Sequence, residues 1–300
     1  MRISTQMMQR LAVGSMLDRQ SALSQTQQQL ATGRRFLTPA EDPSASTQVL
    51  MNNQRLSITK QYQTNADRSI SRLESEESIL AAAGNSLQRI RELAVQSQND
   101  FLGQESRDAI SAEVKQRLEE LIDLANSKDG SGEYLFSGFQ GNTEPVVNSG
   151  TGVYTYQGDQ GQRKLQVSPT RQTATSDPGS AIFFDIPYSG GGAQNIFKTI
   201  YDFSTALNNN TSVGSVLDDI DASMDKLFSV RAEIGGRINA ISSQKDINEQ
   251  YTIQLEGLLS EIQDLDYAEA VGRLNLQLTG LQAAQQSFQK IQSLSLFNYL

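Results

Sequence analysis

Apolar side chains recur at steps of three or four residues over long stretches near both ends of the chain. From Leu255 the pattern continues almost to the C-terminus, and near the N-terminus Met16, Leu23 and Leu30 recur every seven residues. Steps of three and four place side chains on one face of an α-helix, and a seven-residue repeat is typical of helices that pack side by side. The pattern therefore predicts two long helical arms, one from each terminus.

The middle of the chain has a different composition. Eleven of the twenty aromatic residues and four of the six prolines lie between residues 134 and 203. The runs 153–156 and 164–167 flank a Gly-Asp-Gln-Gly segment, which predicts a β-hairpin, and the run 181–186 predicts a further strand. The expected fold is mainly α, with long helical bundle or coiled-coil arms from both termini and a small β-rich domain in the middle.

Turn chemistry marks the helix boundaries. Asp42 is an N-cap acceptor before Pro43 at the first helical position, so a helix is predicted from Pro43 to about Gln98. A second predicted helix ends before Asp129-Gly130, and a short helix is predicted over 196–207. The predicted domains are an N-terminal assembly helix (1–40), an N-terminal helical rod (41–132), a β-rich insertion (133–194), a C-terminal helical rod (195–266) and a C-terminal assembly helix (267–300).

The 300 residues include no histidine and no cysteine. This composition excludes a Ser-His-Asp triad, a Cys-His dyad, a disulfide and a zinc site of the usual ligands, and no cofactor or metal is expected. The densest acidic cluster, within 218–225, fits the solvated start of a helix better than a catalytic site. No enzyme activity is therefore predicted, and an extracellular adhesin or enzyme on the same scaffold is the less favoured alternative.

Charge and hydropathy exclude other partners. The formal charge of −9 argues against nucleic acid, because phosphate binding requires clustered lysine and arginine. No run of eighteen apolar residues is present, so no membrane partner is expected. The opening MRISTQMMQR has no apolar core of a signal peptide, which predicts either an intracellular protein or export by a route that reads an uncleaved end.

The two ends are poor in charge. Residues 3–33 contain three charged side chains and residues 270–296 contain two, whereas residues 205–266 contain fifteen. Amide and hydroxyl side chains hydrogen-bond to neighbours without like-charge repulsion, so we predict that the ends pair with each other and with copies of the chain. The predicted assembly interface consists of Ile3, Met7, Leu11, Met16, Leu23, Leu30, Val271, Leu274, Leu278, Leu281, Phe288, Ile291 and Leu294.

Four segments resemble one known family. They are the opening MRIST, LATGRRFLTPAEDPSAST from Leu30, VRAEIGGRINAI from Val230, and DYAEAVGRLNLQLTGLQAAQQSFQKIQSLSLFNYL from Asp266. In this order they are similar to the ends of the bacterial flagellin superfamily. GEYLFSGFQGNTEPV from Gly132 and the Ser-Leu-Phe at 295–297 resemble the superfamily members that join hook to filament, and filament flagellin is the alternative.

The resemblance implies a self-assembling structural subunit of the bacterial flagellum. It implies that copies of the chain form a ring at the hook–filament junction, between the hook-proximal junction protein and filament flagellin. It also implies export by the flagellar secretion apparatus without a cleaved signal peptide, and an extracellular location. An export chaperone is expected to bind the C-terminal region.

One segment, LQRIRELAVQS from Leu87, is more similar to filament flagellin. The equivalent flagellin surface contributes to protofilament contacts and is recognised by innate immune receptors. The resemblance therefore marks a candidate receptor surface. The residues concerned are Arg89, Ile90, Glu92 and Leu93. The helical period supports a simpler interpretation, in which Ile90 faces the core while Arg89 and Glu92 form a solvated face.

Overall fold

The computed structural model describes residues 2–99, 102–211 and 214–297, and the side-chain environments of 2–6, 8 and 291–297 lie outside that description. The helices are α1 (Arg2–Thr32), α2 (Pro43–Ser97), α3 (Gln104–Ala125), α4 (Ile196–Asn208), α5 (Val216–Gln263) and α6 (Tyr267–Phe297). The strands are β1 (Val146–Asn148), β2 (Tyr154–Tyr156), β3 (Lys164–Ser168), β4 (Arg171–Ala174), β5 (Ile186–Pro187) and β6 (Ala193–Gln194). This architecture confirms the predicted mainly α fold with a β-rich insertion.

The described residues form two compact units. The terminal unit comprises the residues up to Ile58 and from Tyr251 onward, and the central unit comprises Thr59–Gln250. α2 begins as predicted, because Asp42 Oδ1 accepts a hydrogen bond from Ala45 N at 2.8 Å. Its end at Ser97 also agrees with the prediction. Helices of this length are stabilised mainly by the apolar face that they bury.

The core of the central unit is built from the inward faces of its helices and from the insertion. α2 contributes Leu73, Leu80 and Leu87, which are spaced seven residues apart and are fully buried. Phe183 of the insertion and Phe197 of α4 are also fully buried, with ring centroids 5.8 Å apart. Burial of large apolar side chains is the main favourable contribution to the stability of such a unit.

The insertion consists of three two-stranded antiparallel sheets, in which β1 pairs with β2, β3 with β4 and β5 with β6. The predicted hairpin between 153–156 and 164–167 is wrong, because β2 and β3 pair with other strands. Asp159 explains the difference. Its Oδ1 accepts hydrogen bonds from Phe139 N at 2.9 Å and Gly161 N at 2.7 Å, so the connecting segment is fixed against the residues before β1.

The predicted strand over 181–186 is also largely wrong. Ser180–Phe184 form a π-helical turn, and only the last residue of the run, Ile186, pairs as part of β5. Ile182 and Phe183 are both buried, although neighbouring side chains of a strand point to opposite faces of a sheet. The apolar run therefore reflects burial on all sides, which occurs in helical turns as well as in strands.

In the terminal unit α1 and α6 pack against each other, and backbone hydrogen bonds join their adjacent ends. Gly33 ends α1 with a φ of +69°, a conformation that favours glycine. The Gly33 carbonyl accepts from Leu265 N at 2.9 Å, and Arg35 N donates to Gln263 O at 2.8 Å. We call these two hydrogen bonds the arm joint. Asp266 follows and caps α6 with its carboxylate.

Two side-chain amides hold β3 in the central unit. Asn65 Nδ2 of α2 donates to Gln166 O, and Asn248 Nδ2 of α5 donates to Val167 O, both at 2.9 Å. The strand register shifts between Gln166 and Ser168, so Val167 is a bulge residue. A bulge residue is left out of the regular ladder, and its backbone needs a partner from elsewhere.

Asn248→Ala is expected to lower the free energy of unfolding by about 1–3 kcal/mol, because the Val167 carbonyl then loses its donor in a buried place. Urea unfolding followed by circular dichroism measures the loss. Ser243→Ala, on the same helix and exposed, is the control and should change stability by less than about 0.5 kcal/mol. Equal losses in the two variants would contradict the role given to Asn248.

Candidate assembly surface

Large apolar side chains are exposed mainly in the terminal unit. Of the nineteen such side chains among the described residues, fourteen lie in that unit, although it is the smaller of the two. Single exposed apolar side chains are common on proteins, whereas contiguous apolar patches mark interaction surfaces. The terminal unit is therefore the candidate interaction surface.

On α1 the exposed apolar side chains form two pairs, each with a spacing of four residues. Met7 and Leu11 form the first pair, and Val13 and Leu17 form the second. Leu11 is 66% exposed and Leu17 is 60% exposed. Side chains four residues apart lie on one helix face, so the two pairs belong to different faces. Packing against α6 leaves the apolar side chains on both of these faces exposed.

On α6 the most exposed apolar side chain is Leu276, at 76%, and Val271 and Leu278 are also exposed. Leu274 and Leu281 are half-buried. The packing of α1 against α6 thus covers part of the apolar stripe of α6 and leaves the rest of it accessible.

The residues of the predicted interface fall into several groups. The exposed ones are Met7, Leu11, Val271 and Leu278. The half-buried ones are Met16, Leu30, Leu274, Leu281 and Phe288. The side chains of Ile3, Ile291 and Leu294 lie outside the described residues. Leu23 is already buried within the single chain, so it fits the predicted pairing of the two ends with each other but not a contact between copies.

Sequence reasoning missed four exposed apolar residues of α1 and α6, which are Val13, Leu17, Tyr267 and Leu276. Leu17 is out of step with the seven-residue repeat through Met16, and Leu276 falls between two residues of the predicted stripe. The available signal was an excess of apolar residues over what one helix face requires. Such an excess is typical of helices with more than one neighbour.

The few charges near this surface lie along the α1–α6 pair. Arg273 Nε is 3.8 Å from Glu269 Oε1, one turn earlier on α6. Arg19 of α1 reaches Gly280 of α6, where an added Cβ would lie 2.8 Å from Arg19 Nη1. The missing side chain at Gly280 therefore gives the guanidinium room beside α6. The exposed surface of α1 and α6 therefore consists mainly of apolar, amide and hydroxyl groups.

The flagellin-like segment of α2 is divided between core and surface. Ile90 and Leu93 are buried, so their assignment to a receptor surface is wrong. Arg89 and Glu92 are exposed, but Arg89 Nε lies 2.7 Å from Glu113 Oε1 and Arg89 Nη1 lies 2.9 Å from Glu92 Oε2. The hydrogen bond from Arg89 lowers the pKa of the Glu113 carboxyl. These polar side chains already form ion pairs within α2 and between α2 and α3.

The acidic cluster at the start of α5 also has structural contacts. Asp219 is buried, and its two carboxylate oxygens accept from Ser189 N at 2.8 Å and Ser189 Oγ at 3.0 Å. Asp221 Oδ1 lies 2.5 Å from Arg91 Nε. Over 2–99, 102–211 and 214–297, no group of three acidic side chains is arranged to hold a metal ion. Within the same residues, no helix is apolar over a length that could span a bilayer.

Comparison with known proteins places this architecture in a family. The model of the bacterial flagellin N-terminal helical region matches residues 3–141, and that of the C-terminal helical region matches residues 217–300. The chain belongs to the bacterial flagellin family, whose members are structural proteins and not enzymes. Within it, the chain is 26% identical to flagellar hook-associated protein 3 of Escherichia coli K12, over 99% of both chains.

Two solved structures share the fold. Hook-associated protein 3 of Legionella pneumophila matches with a TM-score of 0.68 and 22% identity, over 71% of this chain and 98% of its own. The flagellar junction protein FlgL of Legionella pneumophila matches with a TM-score of 0.63 and 23% identity, over 72% of this chain and 99% of its own. The full-length relative and these folds confirm the resemblance that the sequence motifs indicated.

Proposed function

We propose that the chain is a structural subunit of the junction between flagellar hook and filament, and that copies of it assemble into a ring through the terminal unit. The concentration of exposed apolar side chains on α1 and α6 carries this proposal. The similarity to hook-associated protein 3 over the full length supports the position in the flagellum.

Assembly would bury apolar surface that the single chain leaves in water. Full burial of one leucine side chain contributes about 1.5–3 kcal/mol, and the described parts of α1 and α6 together expose eight large apolar side chains. Because few charges lie on these helices, identical copies can approach without strong repulsion. In this proposal the hook-proximal junction protein and filament flagellin are the neighbours on either side of the ring.

The proposal includes export of the chain by the flagellar secretion apparatus to the outside of the cell, without a cleaved signal. A chain without cysteine forms no disulfide that would hinder passage as an unfolded polypeptide. The exposed apolar stripe of α6 offers the surface that an export chaperone at the C-terminal region would cover before assembly.

The double variant Leu11→Gln with Leu276→Gln is expected to fold normally and to lose function at the junction. Both side chains are exposed, so their replacement should change the stability of the single chain by less than about 0.5 kcal/mol. Cells that lack the chain should make hooks but release flagellin into the medium. The wild-type chain should restore attached filaments, and the double variant should not.

Val153→Gln, which changes an exposed apolar residue of the central unit, is the matched control and should restore filaments. Full complementation by the double variant would refute assembly through the terminal unit. Immunogold labelling separates this function from that of filament flagellin: label confined to the filament base fits a junction subunit, and label along the whole filament rejects it.

A further inference from the structure

A buried carboxyl group lies where the insertion meets the long helices of the central unit. Glu76 of α2 is fully buried. Its Oε1 accepts a hydrogen bond from Asp177 N at 3.0 Å, and its Oε2 has no hydrogen-bond partner. Removal from water disfavours the charged form of a carboxyl group, and burial raises the pKa of Glu76 to about 8.

Three charged groups face Glu76, each from a different part of the unit. Arg72 precedes it by one turn on α2, Asp177 belongs to the insertion, and Arg237 belongs to α5. Arg237 is paired with one carboxylate oxygen of Asp177, and Gln162 Nε2 donates to the other at 2.9 Å. Because Arg237 neutralises Asp177, Arg72 is the cation that can respond to a charge on Glu76.

Arg72 is only partly satisfied. Its Nη1 lies 2.5 Å from Asp129 Oδ2, whereas its Nε and Nη2 are buried and have no hydrogen-bond partner. Buried donors of a charged group that remain unpaired cost several times the net value of a hydrogen bond. The unpartnered donors of Arg72 and the unpartnered acceptor of Glu76 are one helical turn apart, a spacing at which side chains meet.

Asp129 connects this pair to the loop that follows α3. Its Oδ1 accepts hydrogen bonds from Ser131 N at 2.8 Å and Glu133 N at 3.1 Å, while its Oδ2 is held by Arg72. The same carboxylate therefore shapes the loop 129–133 and fastens it to α2. Loss of Arg72 would leave the loop with its internal hydrogen bonds but without this charged anchor.

We propose that Arg72 and Glu76 form a proton-linked switch, in which loss of the Glu76 proton to solvent draws Arg72 from Asp129 to Glu76 and frees the loop 129–133 from α2. With the proton present, Glu76 is neutral and Arg72 stays with Asp129. With the proton lost, Glu76 carries a charge beside Asp177, and the guanidinium of Arg72, one helical turn away, is the cation that turns toward it.

The sign of the pH dependence follows from the direction of the shift. The pKa of Glu76 is about 8 in the folded chain and near 4.5 in the unfolded one, so above pH 4.5 the unfolded chain releases the proton first. The contribution of this group to stability is complete below pH 4.5, decreases as the pH rises to about 8, and changes no further above that value.

Nuclear magnetic resonance of the isotopically labelled full chain tests the switch. In the wild type, the Glu76 carboxyl carbon and the amides of Gly130 and Ser131 should shift together with a midpoint near pH 8. In Glu76→Gln the two amides should not shift in that range. Glu77→Gln is the matched control, because Glu77 is half-exposed and paired with Arg231 outside the network. In this variant the Glu76 carboxyl carbon and the two amides should shift as in the wild type.

A second variant keeps the test decisive if Glu76→Gln fails to fold. Asp129→Asn removes the charge that competes for Arg72, so the Glu76 midpoint should move to lower pH. A wild-type Glu76 midpoint near 4.5, loop amides that titrate equally in Glu76→Gln, or a Glu76 midpoint unchanged by Asp129→Asn would each overturn the switch.

Discussion

A chain that lacks residues 267–300 is expected to keep a folded central unit and to lose assembly completely. The core of the central unit is drawn from residues between Ala66 and Ile241, so the deletion removes none of it. The deletion removes α6 and thereby the helix that packs on α1. Circular dichroism and limited proteolysis should report a protected fragment within 59–250, and electron microscopy should show hooks without attached filaments.

Deletion of residues 1–33 should have the same effect, because it removes the other member of the helix pair and four of the exposed apolar side chains. If both truncated chains fail to assemble, the cause is loss of the surface that α1 and α6 form together, and not loss of a contact made by one helix. If either truncated chain still capped hooks and supported filaments, the role proposed for the terminal unit would be wrong.

Phe197→Ala is expected to cause the largest loss of stability by a single substitution, about 3–5 kcal/mol. Phe197 of α4 is fully buried, and its ring centroid lies 5.7 Å from that of Tyr154 and 5.8 Å from those of Phe183 and Phe184. The substitution leaves a cavity among three aromatic rings, one from β2 and two from the π-helical turn of the insertion. Guanidinium unfolding followed by circular dichroism measures the loss.

Phe139→Ala is the matched control, because it removes the same side chain from a position that is 61% exposed. Its expected loss is below about 1 kcal/mol, since an exposed ring gives up little burial. Similar losses in the two variants would mean that the aromatic cluster around Phe197 does not hold the central unit together.

The helices could be predicted from the sequence because their signals are local. Asp42 and Pro43 determine where α2 begins, and the apolar spacing along it needs no information from other segments. The strand pairing could not be predicted in the same way. The partner of β2 depends on Asp159, whose contact with the Phe139 amide joins residues twenty positions apart, with β1 and β2 between them. Local turn chemistry suggested a hairpin, and a side-chain contact determined another pairing.

The sequence indicates where a candidate assembly surface lies more readily than which side chains are exposed on it. The low charge of both ends is a property of composition, and it directed attention to α1 and α6, where exposed apolar side chains lie. Which stripe residue is covered depends on the packing of α1 on α6, and a heptad pattern does not reveal that. Leu23 is therefore buried while Leu276, outside the predicted stripe, is the most exposed.

The arm joint has a consequence for the order in which the chain folds. It connects Gly33 to Leu265, so its two sides are separated by more than two hundred residues of sequence. Closing so long a loop has a higher entropic cost than the local contacts within each helix. During synthesis α1 has no partner until α6 has been made. The terminal unit is thus the last part of the described chain to form, and α1 stays without its helix partner until α6 has been synthesised.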